Sequence, residues 1–344
     1  MRNRPLRDSG APGTDEAILE LFRSRNGELV SGEELSSRLD ISRTAVWKHI
    51  KNLRRLGYEI EAVPSRGYRL VRRPDLLVPR EILVGLTLRR LGKPLFSFSE
   101  IDSTNLALFK MADEGAAEGT TVIAESQSRG KGRLGRSWSS PAGVNLYCSM
   151  LLRPPIQPLA APQLTFLSVV AVARAIELVT GLVPRIKWPN DLLLNGKKVA
   201  GLLNEMSAET DSVNFVILGI GVNINMSAGQ FPPDLRHPAT SLLLESGTPV
   251  DRTRFVRQLL CELDSLYECY LREGYGPIQA EWLARSAMAG ERVTVSNPGS
   301  VISGVVRGID EYGALMVEVD SGAVVQVLSG DVRLMVGPGD RDRV

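Results

Sequence analysis

The chain has 344 residues, 43% of them hydrophobic and 23% charged, with a formal net charge of +2. Those proportions suit a folded protein of two or three domains, and no apolar stretch is expected to reach a membrane span. Three cysteines and two histidines exclude a disulfide framework, most zinc sites and most Ser-His or Cys-His nucleophile systems, which leaves any chemistry to Lys, Arg, Asn, Gln and Asp.

Residues 1–14, MRNRPLRDSGAPGT, hold Arg, Pro and Gly but no apolar core. They read as a disordered leader rather than a signal peptide, and a cytoplasmic location is expected. Residues 1–73 carry 15 Lys/Arg against 10 Asp/Glu, while the remainder carries 26 against 29. Within 42–73 the balance is 9 against 2. A basic segment this local points to a polyanion partner for that segment alone.

Residues 15–73 divide into three helices and a hairpin. Ala17, Ile18, Leu21 and Phe22 mark one helix face. Ser31, with Glu34 three residues on, forms a capping box that opens a second helix. Ser42 caps a third, with Ala45, Val46, Ile50 and Leu53 inward and Gly57 at its end. YEIEAV and GYRLV then pair through Pro64-Ser65-Arg66-Gly67. This is a winged helix-turn-helix layout, with the helix-turn-helix at Ser31 to Ile50. Ser42, Arg43, Thr44, Trp47 and Lys48 would face base edges. Arg54, Arg55, Arg66 and Arg69 would reach for phosphates. A three-helix protein-interaction module is the plainer alternative; the wing and the local charge favour DNA.

From 80 to 287, strands alternate with helices. LFSFSEI is a strand, and DSTNLALFKMADEG a helix capped by Asp102 or Ser103. TTVIAES and VNLYCSMLLR are strands, and QLTFLSVVAVARAIELVT is a long helix. RIKW, DLLL and KKVAGLLNEM follow, with Asn195-Gly196 as a hairpin turn, then the strand VNFVILGIGVNIN. An α+β domain with a mixed sheet fits better than a doubly wound one. Helices around 251–273 and 277–286 lead to a last domain at 288–337. Its short strands, broken by Asn-Pro-Gly, Asp-Glu-Tyr-Gly and Asp-Ser-Gly, predict a small β-barrel, SH3-like in size.

Residues 130–138, GKGRLGRSW, match G-x-G-x-x-G. A dinucleotide fold needs a helix at the third glycine, but here RSWSSPAGVNLY follows, with a proline and then a strand. Position 125 is not the glycine a P-loop would need. The segment is either a mobile basic surface loop or one whose amides approach an anion, with Lys131, Arg133 and Arg136 neutralising it. Ser103-Thr104-Asn105, Lys187-Trp188-Pro189-Asn190-Asp191 and the asparagines of GIGVNIN add polar groups at strand and helix ends, where ligands bind.

Together, DSTN, ESQSRGKGRLGRSWSSP, KWPND, KVAGLLNE and GIGVNIN closely resemble the biotin–protein ligase family, over roughly 15–337. The helix-turn-helix resembles that of its bifunctional members, which also repress biotin synthesis genes. The resemblance implies a class II synthetase-like central domain that uses ATP, biotin and Mg²⁺. It would make biotinoyl-5′-AMP and transfer biotin to a lysine of a biotin carboxyl carrier protein. Operator DNA is the second implied partner, with a homodimer when the adenylate is bound and no membrane partner.

By the same resemblance, Lys187 and Arg133 are catalytic. Ser103, Thr104, Asn105, Gln127, Lys131, Gly132, Arg133 and Lys187 would bind biotin. Gly130, Arg136, Trp138, Asn190 and Asn223 would bind the adenylate or ATP, and no residue is assigned as a metal ligand. Position 131 is more usually Arg in the family; Lys keeps the charge but loses the planar fork. Residues 226–239 resemble a loop that closes over adenine. Two other readings stay open: a ligase whose helix-turn-helix binds no operator, and a biotin-sensing regulator without turnover. A lipoate ligase would share the fold but is not expected to carry GKGRLGRSW with KWPND.

Overall fold

The computed structural model describes residues 14–335 except 26, 56, 65, 74, 298 and 299, so the leader, Thr14 apart, lies outside the described residues. The chain forms two compact units that part at Gly85 and Leu86.

The first unit holds α1 (Thr14–Ser24), α2 (Gly32–Leu39), α3 (Arg43–Arg55), β1 (Glu59–Val63), β2 (Gly67–Arg72) and α4 (Pro79–Leu83). Ile18, Phe22, Leu35, Val46, Ile50 and Leu53 recur at helical spacing, so each helix turns its apolar stripe into one core. Ser31 accepts the Glu34 N–H at 3.0 Å. The Glu34 carboxylate turns instead to Arg25 at 2.5 Å, so the expected capping box is half made. Ser42 caps α3 by accepting the Ala45 N–H at 3.2 Å. β1 and β2 form the wing, and Val30 adds a bridge to Tyr68. Gly67, at φ +118°, is required there: a Cβ would stand 2.1 Å from the Val30 oxygen.

The second unit centres on a seven-stranded sheet. Its elements are β3 (Leu95–Phe98), α5 (Thr104–Asp113), β4 (Thr121–Ala124), β5 (Leu146–Leu152), α6 (Pro162–Thr180), β6 (Arg185–Lys187), β7 (Asp191–Leu194), β8 (Lys197–Ala208) and β9 (Val213–Val222). Then come α7 (Leu242–Ser246), α8 (Arg252–Glu273) and α9 (Gly276–Arg285). The strand order is β3-β4-β5-β9-β8-β7-β6, parallel at β3–β4 and antiparallel elsewhere. α5 packs Leu108 and Ala112 onto Val122, Ala124, Phe215 and Ile217. One expectation is corrected here. Pro158–Thr180, which contains α6, is long and apolar enough to cross a membrane, but two-thirds of its apolar stretch is buried in the protein. It packs against β8, β9 and α8 as a core helix.

The last strands are β10 (Arg292–Asn297), β11 (Ser300–Ile309), β12 (Leu315–Glu318), β13 (Val324–Val327) and β14 (Asp331–Leu334). They form an antiparallel sheet of order β13-β12-β11-β10-β14. The expected SH3-like barrel is therefore wrong: the sheet is open. After β13 the chain crosses through Leu328-Ser329-Gly330 to the far edge, where β14 pairs with β10. Closure needs β13 to pair with β14, and these two stand at opposite edges. The sheet is fastened to the larger one by the Trp188 indole N–H, which donates to the Gly313 carbonyl at 3.0 Å.

Candidate active site

The first turn of a helix has N–H groups without intrahelical partners. At α5 neither expected cap fills them. Asp102 takes Ser128 and Arg129, and Gln127 reaches across so that its Oε1 accepts the Thr104 N–H at 2.9 Å. Ser103 is thus left with an unpaired hydroxyl among the described residues, buried on the wall of a cavity of about 700 Å³.

Asn105 lies in the same wall but its amide is in use. Nδ2 donates to the Leu203 carbonyl at 3.0 Å and to the Glu205 carboxylate at 2.7 Å. Gly219 on β9 makes room for it, since a Cβ there would stand 2.3 Å from Asn105 Oδ1.

Residues 130–138 fold into a tight hairpin rather than a strand-to-helix turn. Trp138 N–H donates to the Gly130 carbonyl at 2.9 Å and Gly132 N–H to the Arg136 carbonyl at 2.7 Å. Leu134 and Gly135 form the tip at φ 57° and 74°. The hairpin lays the Trp138 indole across Gly201 and Gly221, which pair on β8 and β9. A Cβ on either would come within 2.9 or 2.7 Å of the ring. Lys198 Nζ lies 5.4 Å from the ring centroid, held by Asp191 at 2.6 Å.

Every residue assigned above to biotin, adenylate or catalysis lines this cavity except Gly130. Gly130 lies behind the wall, where a Cβ would meet the Trp138 oxygen at 2.5 Å. Asn190 and Asn223 spend amide N–H groups on the Leu202 and Thr240 carbonyls, so they shape the wall as well as line it. Arg133 approaches Asn190 Oδ1 at 3.4 Å.

The wall carries six Lys and Arg against three Asp, which suits a polyanion. Burial pulls the Lys187 ammonium below its ordinary pKa, with Asp191 opposing, and pulls Arg133 down as well.

Sequence reasoning assigned no residue of the last sheet, yet Asp331 at the start of β14 lines the cavity. It accepts from Arg136 at 2.8 and 2.6 Å and from Arg236 at 2.7 Å. Hydrogen bonding from Arg136 holds its carboxyl below the usual range. Lys198, Asp191, Arg236 and His237 also line the cavity, though none had been given a role of its own. Lys198 and Asp191 sit inside or beside quoted motifs; Asp331 has no local signal beyond the turn that precedes it.

In the first unit, Ser42, Arg43, Thr44, Trp47 and Lys48 are exposed at the start of α3, and Arg66 is exposed on the wing. Trp47 is 51% exposed, with Lys51 Nζ 5.2 Å from its ring centroid. Arg43 pairs with Glu33 at 3.0 Å in full view of solvent. Arg54, also exposed, donates to the Ile60 carbonyl at 2.9 and 2.6 Å and braces the wing.

The chain matches three family models: an HTH domain over residues 14–69, the Biotin/lipoate A/B protein ligase family over 97–223, and the Biotin protein ligase C terminal domain over 289–335. It is similar to the Bifunctional ligase/repressor BirA of Bacillus spizizenii, 40% identical over 92% of this chain and 97% of the relative. It is 35% identical to that of Escherichia coli, over 90% of this chain and 94% of the relative. Among solved structures, a biotin protein ligase from Aquifex aeolicus in complex with biotin and ATP superposes with a TM-score of 0.61 and 28% identity. That match covers 71% of this chain and all of the other.

Proposed function

This chain belongs to the biotin–protein ligase family in its bifunctional ligase/repressor form, and we propose that the cavity described above makes biotinoyl-5′-adenylate while the exposed face of α3 reads operator DNA. The protein is an ATP-dependent ligase that attaches biotin to a lysine of a biotin carboxyl carrier protein and represses biotin synthesis genes. We read residues 15–73 as the DNA-binding domain, 80–287 as the catalytic domain and 288–337 as a C-terminal domain that completes the site.

One observation carries the assignment of the site. A single wall joins uncharged hydrogen-bonding groups at Ser103, Thr104 and Gln127 to the cations Lys187, Arg133 and Arg136. Biotin needs both, because its ureido head is neutral and its carboxylate must meet a triphosphate. The carboxylate oxygen attacks the α-phosphorus of ATP, the bond to the bridging oxygen breaks, and pyrophosphate leaves. Two anions approach and further charge builds on the phosphoryl oxygens. Lys187 and Arg133 offset both, in a partly buried site where each charge counts for more than in water. The carrier's lysine amine, as free base, then attacks the acyl carbon and AMP departs.

Trp138, lying flat over its two glycines, gives the aliphatic tail of biotin an apolar surface. Asp331 aims Arg136 and Arg236 from the last sheet. Among the described residues no group of three His, Cys, Asp or Glu could hold a metal ion. We take Mg²⁺ to be held by the phosphates of ATP, where it would neutralise charge, with the side-chain oxygen of Asn223 as a neighbour.

Two α3 helices reading a two-fold site require two copies of the chain, and we take the adenylate-bound homodimer as the repressing form. Labelled biotin, ATP and a carrier domain test the chemistry: biotin should reach the carrier lysine, with one pyrophosphate released per transfer. Binding of biotin without pyrophosphate release would leave a sensor instead of a ligase.

A further inference from the structure

Beneath the cavity wall, one proton decides how Thr104 meets a ligand. Ser149 on β5 is fully buried and lies behind the wall. Its Oγ stands 2.6 Å from Asn105 Oδ1 and 2.7 Å from Thr104 Oγ1. It has a single hydrogen to give.

The orientation of Asn105 settles where that hydrogen goes. The Leu203 carbonyl and the Glu205 carboxylate, both acceptors, face one end of the amide, so that end is Nδ2. The other end, Oδ1, has Ser149 as its only side-chain donor among the described residues. Were Ser149 to donate to Thr104 instead, a buried carbonyl oxygen would go unpaired. Ser149 therefore donates to Asn105 and offers a lone pair to the Thr104 hydroxyl. The Thr104 hydrogen points inward, because Ser149, having given its own hydrogen to Asn105, can only accept at 2.7 Å, while Gln127 Oε1 is the farther acceptor at 3.2 Å. What Thr104 Oγ1 turns toward the cavity is a lone pair.

We infer that Asn105 and Ser149, fixed by Glu205 and the Leu203 carbonyl, are positioning residues that set the Thr104 hydroxyl as an acceptor for a ligand N–H. They thereby determine specificity for the ureido head of biotin. The inference rests on the proposal that biotin's head lies at Thr104. The relay selects ligands that present a donor here and rejects those that present an acceptor, since two lone pairs would then face each other in a buried place.

The probes are biotin and its two oxa-analogues, in each of which one ureido N–H is replaced by a ring oxygen of similar size. Adenylate formation by the full-length protein is followed with each, and kcat and KM are separated. The wild-type protein should prefer biotin over one oxa-analogue by about a hundredfold or more in kcat/KM. Ser149→Ala removes the donor to Asn105 and the acceptor for Thr104, so the Thr104 hydroxyl is free to turn and donate. The preference should fall by about tenfold, through KM for biotin with kcat little changed. Asn105→Ala frees the Ser149 hydrogen for Thr104 and should relax the same preference, which keeps the test open if one variant fails to fold. Ser149→Thr keeps the hydroxyl and should restore discrimination; KM for ATP serves as the check on the rest of the site. If the wild-type protein discriminates and both alanine variants keep the full preference, the relay is wrong. If the wild-type protein accepts both oxa-analogues as readily as biotin, the placement of the ureido head at Thr104 is wrong and the relay falls with it.

Discussion

Arg136, beside the tip of the 130–138 hairpin, donates from one guanidinium nitrogen to both carboxylate oxygens of Asp331, at 2.8 and 2.6 Å, across 195 positions of the chain. Arg236 takes one of the same oxygens at 2.7 Å. One carboxylate of the last sheet therefore aims two cations supplied by two different loops. Asp331→Ala should raise KM for ATP several-fold and lower kcat for adenylate formation, because both arginines then lose their aim. The acid sensitivity has a definite sign. The Asp331 carboxyl is held below its ordinary value by the Arg136 hydrogen bond, so the contact is intact at neutral pH. It is lost only as pH falls through that depressed value. A wild-type ATP saturation curve in the alanine variant would make the last sheet a passive cover.

Lys187→Ala should lower the rate of adenylate formation by about 10²–10³ with the fold intact, because the lost charge matters most as the phosphoryl oxygens gain charge. Burial lowers the Lys187 pKa in the free site. Its contribution is present while it is protonated, so kcat/KM for ATP should decline on the alkaline side earlier than an ordinary lysine would dictate. Lys187→Arg should remove that decline, since arginine does not titrate there. Rapid-quench adenylate yields across pH measure both effects; an alkaline limb unchanged in the arginine variant would assign the decline to another group.

How much of this was legible before the structure depends on how local each feature is. The strands and long helices of the catalytic sheet could be read because each carries its own apolar run between turn signals. The fate of the last sheet could not. Whether β14 returns to β13 or crosses to β10 is a long-range choice that four-residue strands do not encode. The site divides in the same way. Lys187, Arg133 and Thr104 sit in motifs of mixed polarity that stand out along the chain. Asp331 and Ser149 act through partners 195 and 45 positions away and look like ordinary strand residues. The capping of α5 by Gln127 belongs with these, since Asp102 and Ser103 were the nearer choices along the chain.

Gly221→Ala should damage the site while sparing the fold. Its Cβ would come to 2.7 Å from the Trp138 indole, which has no room to sink into the sheet. The ring must lift and carry the hairpin with it. Biotin affinity should fall at least tenfold, by about the burial lost under the aliphatic tail, with thermal stability close to wild type. Biotin titration beside a melting curve decides it; unchanged affinity would show that Trp138 is not the surface on which the tail lies.

Stability should depend on the buried ion pair of Arg252 and Glu125. They meet at 2.8 Å, with Arg252 fully buried at the start of α8 and also donating to the Asn145 carbonyl. Arg252→Met leaves the Glu125 charge in the interior and should cost about 3–5 kcal/mol. Adding Glu125→Leu to the same chain should recover part of that loss, since the stranded charge is gone. Urea unfolding of the three proteins checks the order; a single variant within 1 kcal/mol of wild type would mean that water or another group already compensates.

On the DNA-binding unit, Arg43 and Lys48 project from the exposed face at the start of α3, where a recognition helix meets base edges. Arg43→Ala and Lys48→Ala should each weaken operator binding, and whichever contacts a phosphate should also lower the slope of log affinity against log salt by about one. Neither should alter biotin transfer, because the catalytic cavity is built wholly from the other unit. Glu33 sharpens the test. It holds Arg43 at 3.0 Å in solvent, where such a pair is easily exchanged. Removing its charge by Glu33→Gln should leave Arg43 free for DNA and lower the repulsion from phosphates, so operator affinity should rise. If the adenylate favours the DNA-binding dimer, operator DNA must in turn tighten adenylate binding by the same factor. Gel shifts and carrier labelling on the same preparations, with sedimentation with and without biotin and ATP, read every arm. Unchanged operator affinity in both alanine variants, or a monomer–dimer balance indifferent to the adenylate, would detach the winged helix from the ligase's control of transcription.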